Sequence, residues 1–286
     1  MMSVHSSAES TSDLLSAIVA ATKRSVLERE SQQPIGVIRE RAIQREAYGT
    51  IFRGALNRPD RFNVIAECKK RSPSAGLIRS KYNVADLALG YANAGAAAIS
   101  VLTEPGFFDG ALSDLGAVRE TVDEPLLRKD FIVSEYQLYE SVVAGANAIL
   151  LIAAVLSKEE LETLMEKALA LGLAVLTEIH NERELCAALD AHADVIGVNN
   201  RNLRTLHVDL EASARLIKQI PENVITVAES GLATSADLVS LRQAGFDAYL
   251  IGESLLKRAD PGEALKHLLS GVDVGEPRGR RSRDAK

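Results

Sequence analysis

From Phe62 onward, eight short apolar runs are spaced by stretches of helical pattern, and few folds accept that rhythm. The runs are Phe62–Ala66, Ala97–Leu102, Pro125–Leu127, Ala148–Ile152, Leu173–Thr177, Asp194–Val198, Val224–Ala228 and Ala248–Ile251. Strands joined through helices lie parallel, because the helix carries the chain back to the end where it started. Near-continuous Val, Ile, Leu and Ala, in place of strict alternation, marks strands covered on both faces. Eight such units predict closure into a single (β/α)8 TIM barrel, which takes roughly 250 residues. The chain has 286.

The spacers carry the punctuation that helices need. Ser134-Glu-Tyr-Gln137 and Ser157-Lys-Glu-Glu160 read as capping boxes, and Asn83, Asn181 and Thr234 stand where N-caps belong. Gly95, Gly145, Gly172 and Gly245 precede strands, where a helix must unwind. The joint itself repeats: Ala94-Gly-Ala-Ala-Ala-Ile-Ser, Ala144-Gly-Ala-Asn-Ala-Ile-Leu and Ala244-Gly-Phe-Asp-Ala-Tyr-Leu are three versions of one helix-to-strand turn. Ahead of the barrel, Leu14–Arg29 has helical apolar spacing that stops at Gln33-Pro34, and a second helix is expected over Ile38–Ala47. The expected organisation is a tail and helical extension over 1–55, capping one barrel end, a barrel over 56–270, and a solvated basic tail over 271–286.

Charge narrows the partners. A net charge of -6 excludes a chain whose main task is gripping nucleic acid or an anionic membrane, so an anionic ligand needs a local basic cluster. Cys68 and Cys186 are too few for a disulfide scaffold, and the five histidines show no metal-ligand spacing. His180 is read as structural, and Cys68 as packing, since strand alternation turns it away from its neighbours Glu67 and Lys69. The polar, Ser-rich start and the absence of a long apolar run predict a cytoplasmic protein, a monomer or weak homo-oligomer.

Barrel enzymes build their sites at the carboxyl ends of the strands. Five of the apolar runs here end in polar side chains: Glu67 and Lys69 after the first, Lys129 after the third, Glu178 after the fifth, Asn199 and Arg201 after the sixth, Glu229 and Ser230 after the seventh. Converging on one mouth, glutamates and lysines shift one another's pKa values and supply both acids and bases. Glu229–Thr234 and Gly252–Leu256 add glycine amides ahead of helical segments, which suits a phosphate.

Five segments together carry a family resemblance: Ile65-Ala-Glu-Cys-Lys-Lys-Arg-Ser-Pro-Ser74, Leu127-Arg-Lys-Asp-Phe131, Thr177-Glu-Ile-His180, Gly197-Val-Asn-Asn-Arg201 and Ala228-Glu-Ser-Gly231. They resemble, in order, the strand-end motifs of the indole-3-glycerol phosphate synthases, with the E-x-K-x-x-S-P-S element the most specific. The resemblance runs from about Leu14 to Leu269. It implies a tryptophan-pathway lyase, free of cofactor and metal, that closes and decarboxylates 1-(2-carboxyphenylamino)-1-deoxyribulose 5-phosphate. By the same resemblance, Lys129 is the general acid of ring closure, Glu178 the general base, Glu67 and Asn199 orienting groups, and Lys69 an acid or a phosphate-side cation. Glu229 and Ser230 match further site positions. Ser72, Arg201 and the amides near Gly231, Gly252 and Glu253 match a phosphate site, with the Glu253 carboxylate turned away. Phe108 and Phe131 match positions that pack against the aromatic ring.

Two other classes fit parts of the pattern. A Schiff-base aldolase-type lyase would use Lys129 as a nucleophile on the same fold. A barrel that only binds a phosphorylated metabolite would have no use for the acid-base set.

Overall fold

A computed structural model describes residues 9–201 and 210–270. The expected basic tail over 271–286, and His5 and His207, lie outside the described residues. Eight parallel strands form the barrel: β1 (Asn63–Cys68), β2 (Ala98–Leu102), β3 (Leu126–Lys129), β4 (Ala148–Ile152), β5 (Ala174–Ile179), β6 (Val195–Asn199), β7 (Ile225–Glu229) and β8 (Ala248–Ile251). Each pairs with the next in sequence and β8 closes onto β1, giving the (β/α)8 topology that the periodicity predicts.

Alternation sorts the strand residues into two cores. Val64, Ala66 and Cys68 face the surrounding helices, while Ile65, Ala98, Leu127, Leu150, Leu176, Val195, Val227 and Leu250 fill the barrel. Five strands run one or two residues beyond their apolar runs, taking Glu67, Lys129, Glu178, Asn199 and Glu229 into the sheet. The backbone ladder continues because neighbours still pair, as in Glu178 with Gly197 and Asn199 with Glu229. An apolar pattern cannot show this, since these side chains are polar yet buried, Lys129 only partly so.

The expected N-caps hold. Asn83, Asn181, Ser157 and Thr234 accept from first-turn amides, the last two in full capping boxes. At Ser134 only half of the box forms: its hydroxyl accepts from the Tyr136 amide, but Gln137 turns back to bind Val133 N and Phe131 O. That amide, fully buried, braces the loop after β3 in place of the cap. Gly95, Gly145, Gly172 and Gly245 all have φ between 77° and 116°, which only glycine adopts without strain.

Three helices precede the barrel: α1 (Glu9–Gln32), α2 (Ile35–Ala42) and α3 (Gly49–Leu56). The expected second helix thus stops five residues early, where Asn147 Nδ2 takes the Ala47 carbonyl at 2.7 Å. Instead of capping one end, the segment reaches both. Ile18 of α1 packs into the inner core at the carboxyl mouth, whereas Phe52 and Leu56 of α3, fully buried, plug the amino end. Gly49 lets α3 touch the start of β5, its amide donating to Gly172 O at 2.8 Å.

Candidate active site

All fourteen residues singled out from the sequence line one cavity of about 400 Å³ at the carboxyl mouth. Leu14, Leu15 and Ile18 of α1 form part of its wall. At its floor stand the carboxyls of Glu67, Glu178 and Glu229, which are 3%, 2% and 1% exposed. Glycines make the room. A Cβ on Gly197 would lie 2.1 Å from Glu229 Oε1, and one on Gly252 would lie 2.7 Å from Glu67 Oε1.

Lys129 reaches across this floor from β3, its Nζ 3.5 Å from Glu178 Oε2 and 3.7 Å from Glu229 Oε2. Burial would lower its pKa, but the charges of Glu178, Glu229 and Glu67 outweigh that and hold it above the ordinary lysine value. Lys69 donates to Glu67 Oε1 at 2.5 Å. Burial pushes Glu67 up, yet Lys69 and Lys129 bring it below the usual carboxylate range. Glu178 likewise is held low, because Lys129 and His180 beside it overcome its burial. Glu229 goes the other way: burial and the neighbouring Glu178 charge push it well up. Of the two neighbouring carboxyls, Glu229 is thus the one whose protonated form is favoured and Glu178 the one whose ionised form is favoured.

One side of the mouth is cationic and rich in amides. Ser230 and Gly231 both have left-handed backbone, at φ 65° and 81°. Asn200 Nδ2 donates to the carbonyls of Glu229 and Ser230, fixing this turn, and Ser213 in turn holds Asn200. At the start of the helix Ser235–Ala244, the amides of Ala233, Thr234 and Asp237 are taken by the Thr234 and Asp237 side chains. The short helix Glu253–Leu256, by contrast, starts after Gly252 with no side-chain cap. The Ser230–Gly231 turn and the start of this short helix are therefore the backbone segments whose chemistry suits an anion. The Glu253 carboxylate does not turn away as expected. It meets Lys257 Nζ at 2.6 Å and Arg201 Nη2 at 3.5 Å, since Lys257 lies one helical turn on.

The opposite side is apolar. Phe108 and Phe131 stack at 6.3 Å between ring centroids. Glu104 sets Phe108 in place by capping the amides of Gly106, Phe107 and Phe108. This residue was missed from the sequence, although an acidic residue before Pro105 is a helix-start signal. Asn200 and Lys257 were missed as well. Among the described residues no group of three or more His, Cys, Asp and Glu is arranged to hold a metal ion.

Family comparison matches this geometry. The indole-3-glycerol phosphate synthase family model covers residues 15–268. The chain belongs to the indole-3-glycerol phosphate synthase family. It is 44% identical over 260 residues to the indole-3-glycerol phosphate synthase of Sulfurimonas denitrificans, covering 90% of this chain and 99% of that protein. The synthase of a Mycobacterium species is 44% identical over 261 residues, covering 91% and 95%. Solved structures confirm the fold alone: tryptophan synthase subunit alpha from Legionella pneumophila superposes with a TM-score of 0.56 at 14% identity, over 79% of this chain and 96% of that one. Thiamine phosphate pyrophosphorylase from Pyrococcus furiosus gives the same TM-score and identity over 73% and 95%. Among the described residues no helix is long and apolar enough to cross a membrane.

Proposed function

We propose that this chain converts 1-(2-carboxyphenylamino)-1-deoxyribulose 5-phosphate into indole-3-glycerol phosphate, carbon dioxide and water, as a cytoplasmic enzyme of tryptophan biosynthesis. The observation that carries this reading is a lysine kept charged between Glu178 and Glu229, with a second ammonium, Lys69, beside Glu67 in the same cavity. Ring closure needs a proton on the ketone oxygen as the aromatic carbon attacks, and Lys129 is the donor. Loss of carbon dioxide restores the aromatic electrons. Dehydration then removes a ring proton and a hydroxyl. Glu178, ionised, takes the proton, and Lys69 protonates the departing hydroxyl. Glu67 orients Lys69, and Asn199 and Glu229 fix the Glu178 side of the floor.

The two ends of the substrate fit the two sides of the mouth. Arg201, Ser72 and the amides around Ser230, Gly231, Gly252 and Glu253 suit the phosphate, for which the Glu253 carboxylate must cede Arg201. Phe108 and Phe131 suit the anthranilate ring. A Schiff-base role for Lys129 is disfavoured, because that chemistry needs the neutral amine and the surrounding carboxylates favour the ammonium. The test is incubation with the carboxyphenylamino-deoxyribulose phosphate while indole fluorescence is recorded. A rise in fluorescence with release of carbon dioxide is expected, and folded protein that gives neither would overturn the reading.

A further inference from the structure

The sequence makes His180 a structural histidine, yet its ring stands beside the proposed base. It follows Glu178 by two residues, so β alternation returns its ring to the side of that carboxylate. Its Nε2 is 3.5 Å from Glu178 Oε1, is buried, and has no hydrogen-bond partner within normal range. Its Nδ1 is 3.1 Å from Glu184 Oε2.

Glu184 is itself immobilised. Its Oε2 accepts the His180 backbone amide at 2.7 Å, its Oε1 accepts Asn181 Nδ2 at 2.6 Å, and its own amide binds Asn181 Oδ1 as the helix Glu182–Asp190 begins. Nδ1 therefore carries a proton donated to Glu184, which leaves Nε2 facing Glu178. A neutral ring would aim a lone pair at an ionised carboxylate. A protonated ring aims an N–H at it. We infer that His180 is a positioning residue whose imidazolium, held by Glu184, fixes Oε1 of Glu178 and favours the ionised form of that carboxylate.

This rests on the reading of Glu178 as the base. The charged groups around the ring are Glu184 on the helix Glu182–Asp190, Glu178 on β5 and Lys129 on β3, with Glu229 on β7 beyond Glu178. Burial and Lys129 oppose the positive charge on His180, while the Glu184 hydrogen bond and the Glu178 and Glu184 charges favour it and prevail. Lys129 holds Oε2 of Glu178 and His180 faces Oε1, so both carboxylate oxygens are engaged from opposite sides. Without the imidazolium, Glu178 would compete with Glu229 for the proton and cease to be a base at a higher pH.

Three measurements test this. In the unliganded protein, the His180 ring, assigned by its absence from His180→Gln, should titrate by NMR above the ordinary histidine value of about 6.5. In His180→Gln, which retains an N–H donor without the charge, the acid limb of kcat/KM should move up by about one pH unit while KM stays within twofold. Glu184→Gln should move the limb in the same direction by less. The inference fails if His180 titrates below the ordinary value, or if active variants keep the wild-type acid limb with a uniformly lower kcat. Should wild type give no indole product, the activity reading fails instead, and the NMR titration still decides the charge on His180.

Discussion

A carboxyl serves as a base only while ionised, and the floor of this cavity assigns opposite states to two neighbouring glutamates. Glu178, the proposed base, is held low by Lys129 and His180 against its burial, so the acid limb of activity is expected below the ordinary glutamate value of about 4.3. Glu229 is pushed up, which favours its protonated form, so an amide should stand in for it. Glu229→Gln is therefore expected to retain kcat within about tenfold, whereas Glu178→Gln should lose roughly a hundredfold or more, the usual cost of a positioned base. Steady-state kinetics on the two variants decide it, and equal losses would show that the proton is misassigned. Lys129→Ala should fall as far as Glu178→Gln while phosphate affinity survives, because Arg201 and the Gly231 and Gly252 loops lie on the other side of the mouth. Borohydride should trap no adduct on Lys129; a reduced adduct found by peptide mass mapping would restore the Schiff-base alternative. The identities of these residues were readable from strand-end position and motif. Their charge states were not, since these depend on distances between strands far apart in the chain.

At the scale of elements, sequence signals succeed where local chemistry decides and fail where packing decides. Asn83, Ser157, Asn181 and Thr234 cap because a side-chain oxygen meets amides two or three residues on. Helix α3 carries no such signal. It starts at Tyr48 with φ 50°, has no side-chain cap and contains two glycines, so nothing local announces it. Its reason is tertiary, with Phe52 and Leu56 filling the floor of the barrel. The two glycines of α3 should consequently behave in opposite ways. A Cβ on Gly49 would fall 2.2 Å from Ala174 N, backbone that cannot swing aside, while one on Gly54 has nothing within 4 Å. Gly49→Ala is expected to destabilise by about 1–3 kcal/mol, as overpacking does. Gly54→Ala should be stabilising by roughly 0.5–1 kcal/mol, the helical preference of alanine over glycine. Thermal or denaturant melts measure both, and a Gly49→Ala variant as stable as wild type would mean that α3 does not dock this closely.

The described residues form a barrel met at both ends by one N-terminal segment, and the two contacts have different work. Helix α1 lines the cavity with Leu14, Leu15 and Ile18, and its Arg29 holds Glu140 at 2.5 Å. Glu140 also meets Arg128, whose buried guanidinium binds Asp130, so α1 is tied to the strand that presents Lys129. Glu140 keeps Arg128 as a partner if α1 is removed, and no buried charge is then stranded. A chain beginning at Pro34 should accordingly fold and melt cooperatively, but bind substrate more weakly and turn over more slowly, having lost one wall of the cavity. A chain beginning at Asn57 also loses Phe52 and Leu56. Truncating a buried Phe or Leu costs about 2–5 kcal/mol, so the pair approaches the roughly 5–15 kcal/mol that holds a typical domain together. That chain should fail to melt cooperatively or should aggregate. Melting curves and indole fluorescence on both chains separate the two roles: full activity from the chain starting at Pro34 would remove α1 from the site, and a normal melt from the chain starting at Asn57 would show that the barrel floor closes without α3.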